Sequence, residues 1–452
     1  MTRLTSGFIK SKLGTIPATW KIAKFKHITS ILRCGIASTP KYVEEGIPFL
    51  SSQNVKPNKL VLHRYKYISE ADHRELTKKH KPQKGDILYT RVGNIGEAAL
   101  VDVDFEFSVY VSVTRIRMKE GYDSLFYTYL LNSDYYVHKA KQMVFRGGGV
   151  SNLNVKQVED FDMLVPPLYE QKKIADILAT WDTAIALKQK LIEQQRERHR
   201  GLMQQLLSGA VRLPGFSAAW EEVRLADLGK TYNGLSGKKA DDFGTGKPYI
   251  PYKTVFHDGK IDLQAVDYVS IGENEKQNKV KYGDIFFTTS SETPFEVGMS
   301  SVLLTEVQEM YLNSFCFGFR LHNFDRLLPE FARFLFRSDA VRKQMYRLAQ
   351  GSTRFNISKA EVIKLKVKLP TLEEQRRITD VLHRSHSVVK LLEQQVNALE
   401  QQKKGLMQLL LTGKVRVAEA EAAVTVWSYG MHRDDRTEDS CSCKVLFFYV
   451  LA

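Results

Sequence analysis

Gly201–Arg212 reads GLMQQLLSGAVR, and Gly405–Arg416 reads GLMQLLLTGKVR. Nine of the twelve positions are identical across a spacing of 204 residues, and the match grows when the chain is slid along itself. PPLYEQKKIADIL (Pro166–Leu178) lies over PTLEEQRRITDVL (Pro370–Leu382), and SNLNVKQV (Ser151–Val158) over FNISKAEV (Phe355–Val362). KGDILYT (Lys84–Thr90) matches YGDIFFT (Tyr282–Thr288) at an offset of 198, and ATWKIAKF (Ala18–Phe25) matches AAWEEVRL (Ala218–Leu225) at 200. The drifting offsets mean that the middles differ in length while the ends agree. The chain is two tandem copies of one unit.

Each repeated end predicts a long helix. In the first copy apolar residues recur at Ile174, Leu178, Trp181, Ile185, Ile192, Leu202 and Leu206. In the second they are Ile378, Leu382, Val389, Leu392, Val396, Leu399, Leu406 and Leu410. Steps of three and four make a heptad-like seam, the mark of a helix packed on another helix. Lys188, Gln195 and His199 fall in the first seam, which predicts a polar contact or a gap there. Prolines 166, 167 and 370 precede the helices, and Gly209 and Gly413 suit their C-terminal caps. Glu170–Leu207 would span about 57 Å at ~1.5 Å per residue. Helices of equal length, one per copy, predict an antiparallel pair with pseudo-two-fold symmetry.

The middles alternate short apolar runs with glycine turns, as in GIPFLSSQNV, GDILYTRVGNIGEAALV and KPYIPYKTV, which read as strands. Ser124–Gln142 and Leu328–Leu348 read as intervening helices. The expected class is α+β. Mixed domains cover residues 1–165 and 209–369, long helices cover 166–208 and 370–417, and an atypical, disordered tail covers 418–452.

Net charge is +15, and the tail carries six acidic against three basic groups, so the first 417 residues carry +18. Such an excess favours a polyanionic partner. No apolar run is long enough to cross a membrane, and the N-terminus lacks the apolar stretch of a signal peptide. Four unpatterned cysteines point to a reducing compartment, the cytoplasm.

Catalytic signatures are scarce. No phosphate-binding Gly-x-x-x-x-Gly-Lys-Ser/Thr loop occurs. PPLY at 166–169 follows Val165, where an adenine-methyltransferase motif would begin with asparagine. His383 and His386 suit a surface or seam better than a metal, and Cys441 and Cys443 lack a second ligand pair.

Loop chemistry suited to DNA does recur. Arg91 and Asn94 stand among glycines in LYTRVGN; arginine reads guanine and asparagine reads adenine by bidentate hydrogen bonds. Arg146 and Asn152 lie in VFRGGGVSN, whose amides could approach a phosphate. The second copy offers Thr288 and Thr289 in FTTSSET, Arg354 and Asn356 in AQGSTRFN, and Lys238, Lys239 and Lys253.

The doubled LPxLxEQ…I…L pattern, followed by a long helix and GLMQxLLxGxVR, resembles the specificity subunit of type I restriction–modification enzymes over about Leu13–Val417. The resemblance implies two target recognition domains separated by an antiparallel coiled coil. It also implies a bipartite double-stranded DNA site, two methyltransferase subunits, and restriction subunits reached through them. Such a subunit has no catalysis and no cofactor of its own. S-adenosylmethionine, ATP and Mg belong to the partners. Rival readings are a self-contained nuclease or methyltransferase with a degenerate motif, and a purely structural coiled-coil adaptor.

Overall fold

The computed structural model describes residues 7–36, 40–78, 80–144 and 151–417. By its contacts the chain forms two compact units, one of Met1–Leu187 with Val396–Ala452, the other of Lys188–Gln395. Sequence reading divides the chain linearly. Contact instead completes the first unit with the end of the last helix, from Val396 onward.

The first unit is built on a four-stranded antiparallel sheet, ordered Ala98–Leu100, Ile87–Thr90, Val113–Met118, Thr29–Cys34. The second repeats it as Ser300–Val302, Ile285–Thr288, Cys316–Leu321, Gly229–Asn233. The repeated GDI motif explains the shared geometry. Gly85 and Gly283 turn with φ near +88° and +82°, where a side chain is disfavoured. The buried Asp86 and Asp284 carboxylates then accept the backbone N–H of Gln83 and Lys281. Each also takes a two-pronged arginine from the neighbouring strand, Arg117 at 2.7 and 2.9 Å and Arg320 at 2.8 and 2.6 Å. Ile87, Leu88 and Tyr89, like Ile285, Phe286 and Phe287, are buried on both faces, hence the unbroken apolar run.

A second sheet flanks each first one. In unit one it runs Ser108–Val109, Ile47–Leu50, Lys66–Ile68, Tyr42–Val43; in unit two, Tyr311–Leu312, Phe243–Ile250, Asp267–Val269. Each expected intervening helix is two helices, Ser124–Leu131 with Asp134–Gln142, and Pro329–Leu335 with Asp339–Arg347. Ser133 and Ser338 stand at the breaks and start the second helix, a role that periodicity does not reveal.

The long helices are Leu168–Leu207 (central) and Leu372–Leu410 (terminal). The predicted seam residues Ile174, Leu178, Ile185, Ile192 and Leu206 are buried, as are Ile378, Leu382, Val389, Val396 and Leu410. In unit one Asp182 of the central helix meets Lys403 of the terminal helix; in unit two Lys188 donates to Gln395 at 2.8 Å and His199 faces His386. Within unit two the partner numbers fall as the central helix advances, from Lys188 with Gln395 to His199 with His386, so there the two segments run in opposite directions. The expected polar contact at Lys188 and His199 is present.

The repeated ends have one structural purpose in both units. Arg416 donates two hydrogen bonds to Glu170, Nε at 3.0 Å, and the Trp20 indole donates a third at 3.1 Å. Arg212 grips Glu374 with two bonds of 2.7 Å, and Trp220 adds one at 3.3 Å. Both glutamates are buried, and the carboxylate raises the pKa of each arginine further. The adjacent Gln171 and Gln375 accept the N–H of Asp123 and Leu328, just before a helix begins, and donate to Pro166 O and Pro370 O. Gly209 and Gly413, both at φ +71°, turn the chain into this contact. Thus Gly-x-Val-Arg is one half of a lock and Glu-Gln the other. The final residues of the terminal helix, with Leu410 and Leu411 in the core, close unit one, while Leu206 and Leu207 close unit two.

Candidate nucleic-acid interface

At the end of the central strand, each unit brings three segments to one edge. In unit one Arg91 N–H donates to Ser112 O at 3.0 Å, Leu153 N–H donates to Arg91 O at 2.9 Å, and Val92 bridges Asn152. In unit two Thr289 N–H donates to Phe315 O at 2.9 Å, Ile357 N–H donates to Thr289 O at 3.0 Å, and Ser290 pairs with Asn356. The backbone frame is the same and the side chains differ.

The Arg91 guanidinium is engaged from within. It donates to Leu153 O at 2.9 Å, Val111 O at 3.3 Å and Asn152 Oδ1 at 2.7 Å. It therefore fixes Asn152 at the edge. Asn94 lies in the next turn and lines a cavity of about 550 Å³ with Lys141 and Ser151. Arg146 lies outside the described residues.

In unit two Thr288 is buried, and its hydroxyl accepts the Met299 N–H at 3.0 Å, so it holds the following turn. Thr289, Arg354 and Asn356 come together, with the Arg354 guanidinium 5.8 Å over the Phe315 ring. Lys238 and Lys239 belong to another loop. Lys238 pairs with Glu275 at 2.5 Å; that bond, with Gln277 and the Gly272 N–H, brings the Glu275 carboxyl down to about 2. Lys239 is exposed and gives its backbone N–H to Asp242. Lys253 lies in the first turn of the short helix Tyr252–His257 and lines a cavity of about 540 Å³ with Lys260 and Lys390.

Sequence reading missed the neighbour of this edge in unit one. A cavity of about 470 Å³ beside Val92 and Ser112 is lined by Tyr42, Gln53, Arg64, Tyr65, Lys66 and Tyr110. Buried Asn54 shapes it by donating to Val61 O and Arg64 O. The signal was available: laying PFLSSQNV over PYIPYKTV at an offset of 200 sets Gln53 opposite Lys253. The exposed aromatics Phe295, Phe315 and Tyr346 in unit two were also missed.

Among the described residues no group of three or more His, Cys, Asp or Glu is placed to hold a metal, and no helix is long and apolar enough to cross a membrane.

Two copies of one frame with different edge residues define a tandem recognition protein. The type I restriction modification DNA specificity domain matches residues 17–195 and again 218–401. The chain belongs to that family, the DNA-binding specificity subunits built from target recognition domains. It is 24% identical over 439 residues to a putative type I restriction enzyme MjaX specificity subunit of Methanocaldococcus jannaschii, covering 91% of this chain and 97% of that one. It is 23% identical over 406 residues to the EcoKI specificity subunit of Escherichia coli, covering 85% and 86%. The fold matches the S subunit of M. genitalium (TM-score 0.52, 13% identity, 90% of this chain and 98% of that one). It also matches a chain solved in work on assembly and conformational transition of the type I R-M system (TM-score 0.55, 16% identity, 88% and 99%).

Proposed function

We propose that the chain reads a bipartite duplex DNA site, one half with each unit. Its two long helices form an antiparallel coiled coil with pseudo-two-fold symmetry. The coil sets the spacing between half-sites and docks two methyltransferase subunits, and restriction subunits join through them. The chain is non-catalytic and binds no cofactor; S-adenosylmethionine, ATP and Mg act in the partners. The observation that carries this reading is the shared edge. The same three segments meet in both units, yet one presents Asn152, held by the inward-turned Arg91, and the other Thr289, Arg354 and Asn356. Asparagine, with a donor beside an acceptor, and arginine, with paired donors, can discriminate bases, whereas lysines such as Lys239 and Lys253 suit phosphates. Gln53 and Arg64 extend the reading surface of unit one.

The test is a domain exchange. Replacing residues 13–165 with the equivalent segment of a relative should change one half of the methylated site in the purified complex and leave the other. A site changed in both halves, or in neither, sinks the two-reader model.

A further inference from the structure

Unit two carries an aromatic that unit one lacks. Thr90 and Thr288 begin equivalent turns, which close when Gly96 N–H meets Thr90 O and Gly298 N–H meets Thr288 O, each at 3.1 Å. The second turn is four residues longer and contains Phe295. That ring is 70% exposed, high for phenylalanine. It is nevertheless held firmly. Arg342 donates to Phe295 O at 2.7 Å, Val297 O at 2.8 Å and Gly298 O at 2.6 Å. The ring stacks on Tyr346 with centroids 4.6 Å apart and planes 3° from parallel.

The surroundings narrow what this ring can touch. Tyr346 covers one face, so the ring cannot slide between two bases, which needs both. Glu292 and Glu296 flank it in the loop and disfavour a phosphate at the tip. Lys343 and Arg347, exposed on the Tyr346 helix, make no ion pair with a described residue and suit the neighbouring backbone. That leaves the edges of bases as the surface for the free face of the ring. In the major groove the one apolar group on a base edge is the C5-methyl of thymine.

We infer that Phe295 is a specificity-determining residue that packs its free face on a thymine methyl in the half-site read by unit two; this rests on the DNA-reading function proposed above. The half-site is first assigned as the one unchanged by the domain exchange. The full chain with its methyltransferase partner is then bound to duplexes in which each thymine of that half-site, on either strand, is replaced singly by deoxyuridine. One replacement should weaken wild-type binding about fourfold, the worth of one buried methyl. Phe295→Ala should lose a similar factor on the thymine duplex and nothing more on the deoxyuridine duplex, with an unchanged melting temperature. A complex that binds its site specifically yet ignores every replacement, or a half-site without thymine, overturns the inference alone. A Phe295→Ala loss that is equal on unrelated DNA also overturns it. A complex that does not discriminate DNA sequences overturns the proposed function itself.

Discussion

Asp182 and Lys403 of unit one stand 204 residues from His386 and His199 of unit two, so each pair occupies the same place in its own seam. In unit one the pair is ionic, and the Tyr129 hydroxyl donates to Asp182 at 2.7 Å while the Lys403 ammonium lies 5.3 Å over the Tyr129 ring. In unit two the imidazoles face each other with centroids 5.6 Å apart, and Phe334 replaces the tyrosine. Burial, then Arg333, pushes the His386 pKa down to about 4; burial also lowers that of His199. By contrast, Arg–Glu–Trp locks close both units alike. The comparison teaches that the repeat preserves its terminal locks and lets its seam diverge.

The locks give the largest expected effect. Glu170→Ala and Glu374→Ala each strip a buried carboxylate from an arginine and an indole, at a cost of roughly 3 kcal/mol. Denaturant unfolding should give similar losses; a loss in one variant only would break the equivalence.

Next comes acid. The neutral imidazoles of unit two are favoured when folded, so the unfolded chain takes up protons first. Stability then falls as pH drops from about 6.5 to about 4, by at most about 3 kcal/mol from His386. Asp258, itself brought down to about 2 by Lys390 and Arg333 despite its burial, stays ionised through most of that window. Installing unit one's pair with His199→Lys and His386→Asp should abolish this share of the acid loss, measured as the variant minus wild-type difference across the window. An unchanged difference would show that the histidines titrate normally.

Smaller still is the cap. Gly209→Ala should cost about 1–2 kcal/mol for its left-handed backbone. Gly413→Ala should cost more, because its Cβ would sit 2.5 Å from Pro17, whereas at Gly209 the nearest atom is 3.5 Å away on Trp220. Equal melting shifts would refute that ranking.

The repeat, the strands around the GDI motif and the buried positions of the seam were legible, because each rests on periodicity or self-similarity; PYKTV, read as strand, instead opens the helix Tyr252–His257. Periodicity gives a helix its apolar face but not its partner. So the sequence did not reveal that GLMQLLL closes the first unit, nor that Arg416 meets Glu170. At the shared edge, Asn152 and Arg354 were candidates by residue type alone. That Lys238 is matched by Glu275, 37 residues on, or that Arg91 turns inward to Asn152, depends on long-range pairing that local patterns do not encode. Phe295 sits in an insertion with no counterpart to align.

Unit one is assembled from both ends of the described chain, and this imposes an order on synthesis. When Leu187 leaves the ribosome, the core that holds Trp20, Ile174 and Leu178 is incomplete, since Leu410, Leu411 and Arg416 are yet to be made. At ~5–20 residues per second the wait is roughly 10–50 s. Unit two, a continuous stretch, is translated later yet can finish folding first. Nascent chains stalled once Gln395 has left the ribosome should therefore hold a protease-resistant second unit and an open first one, the window in which a chaperone or an early partner would find its surface.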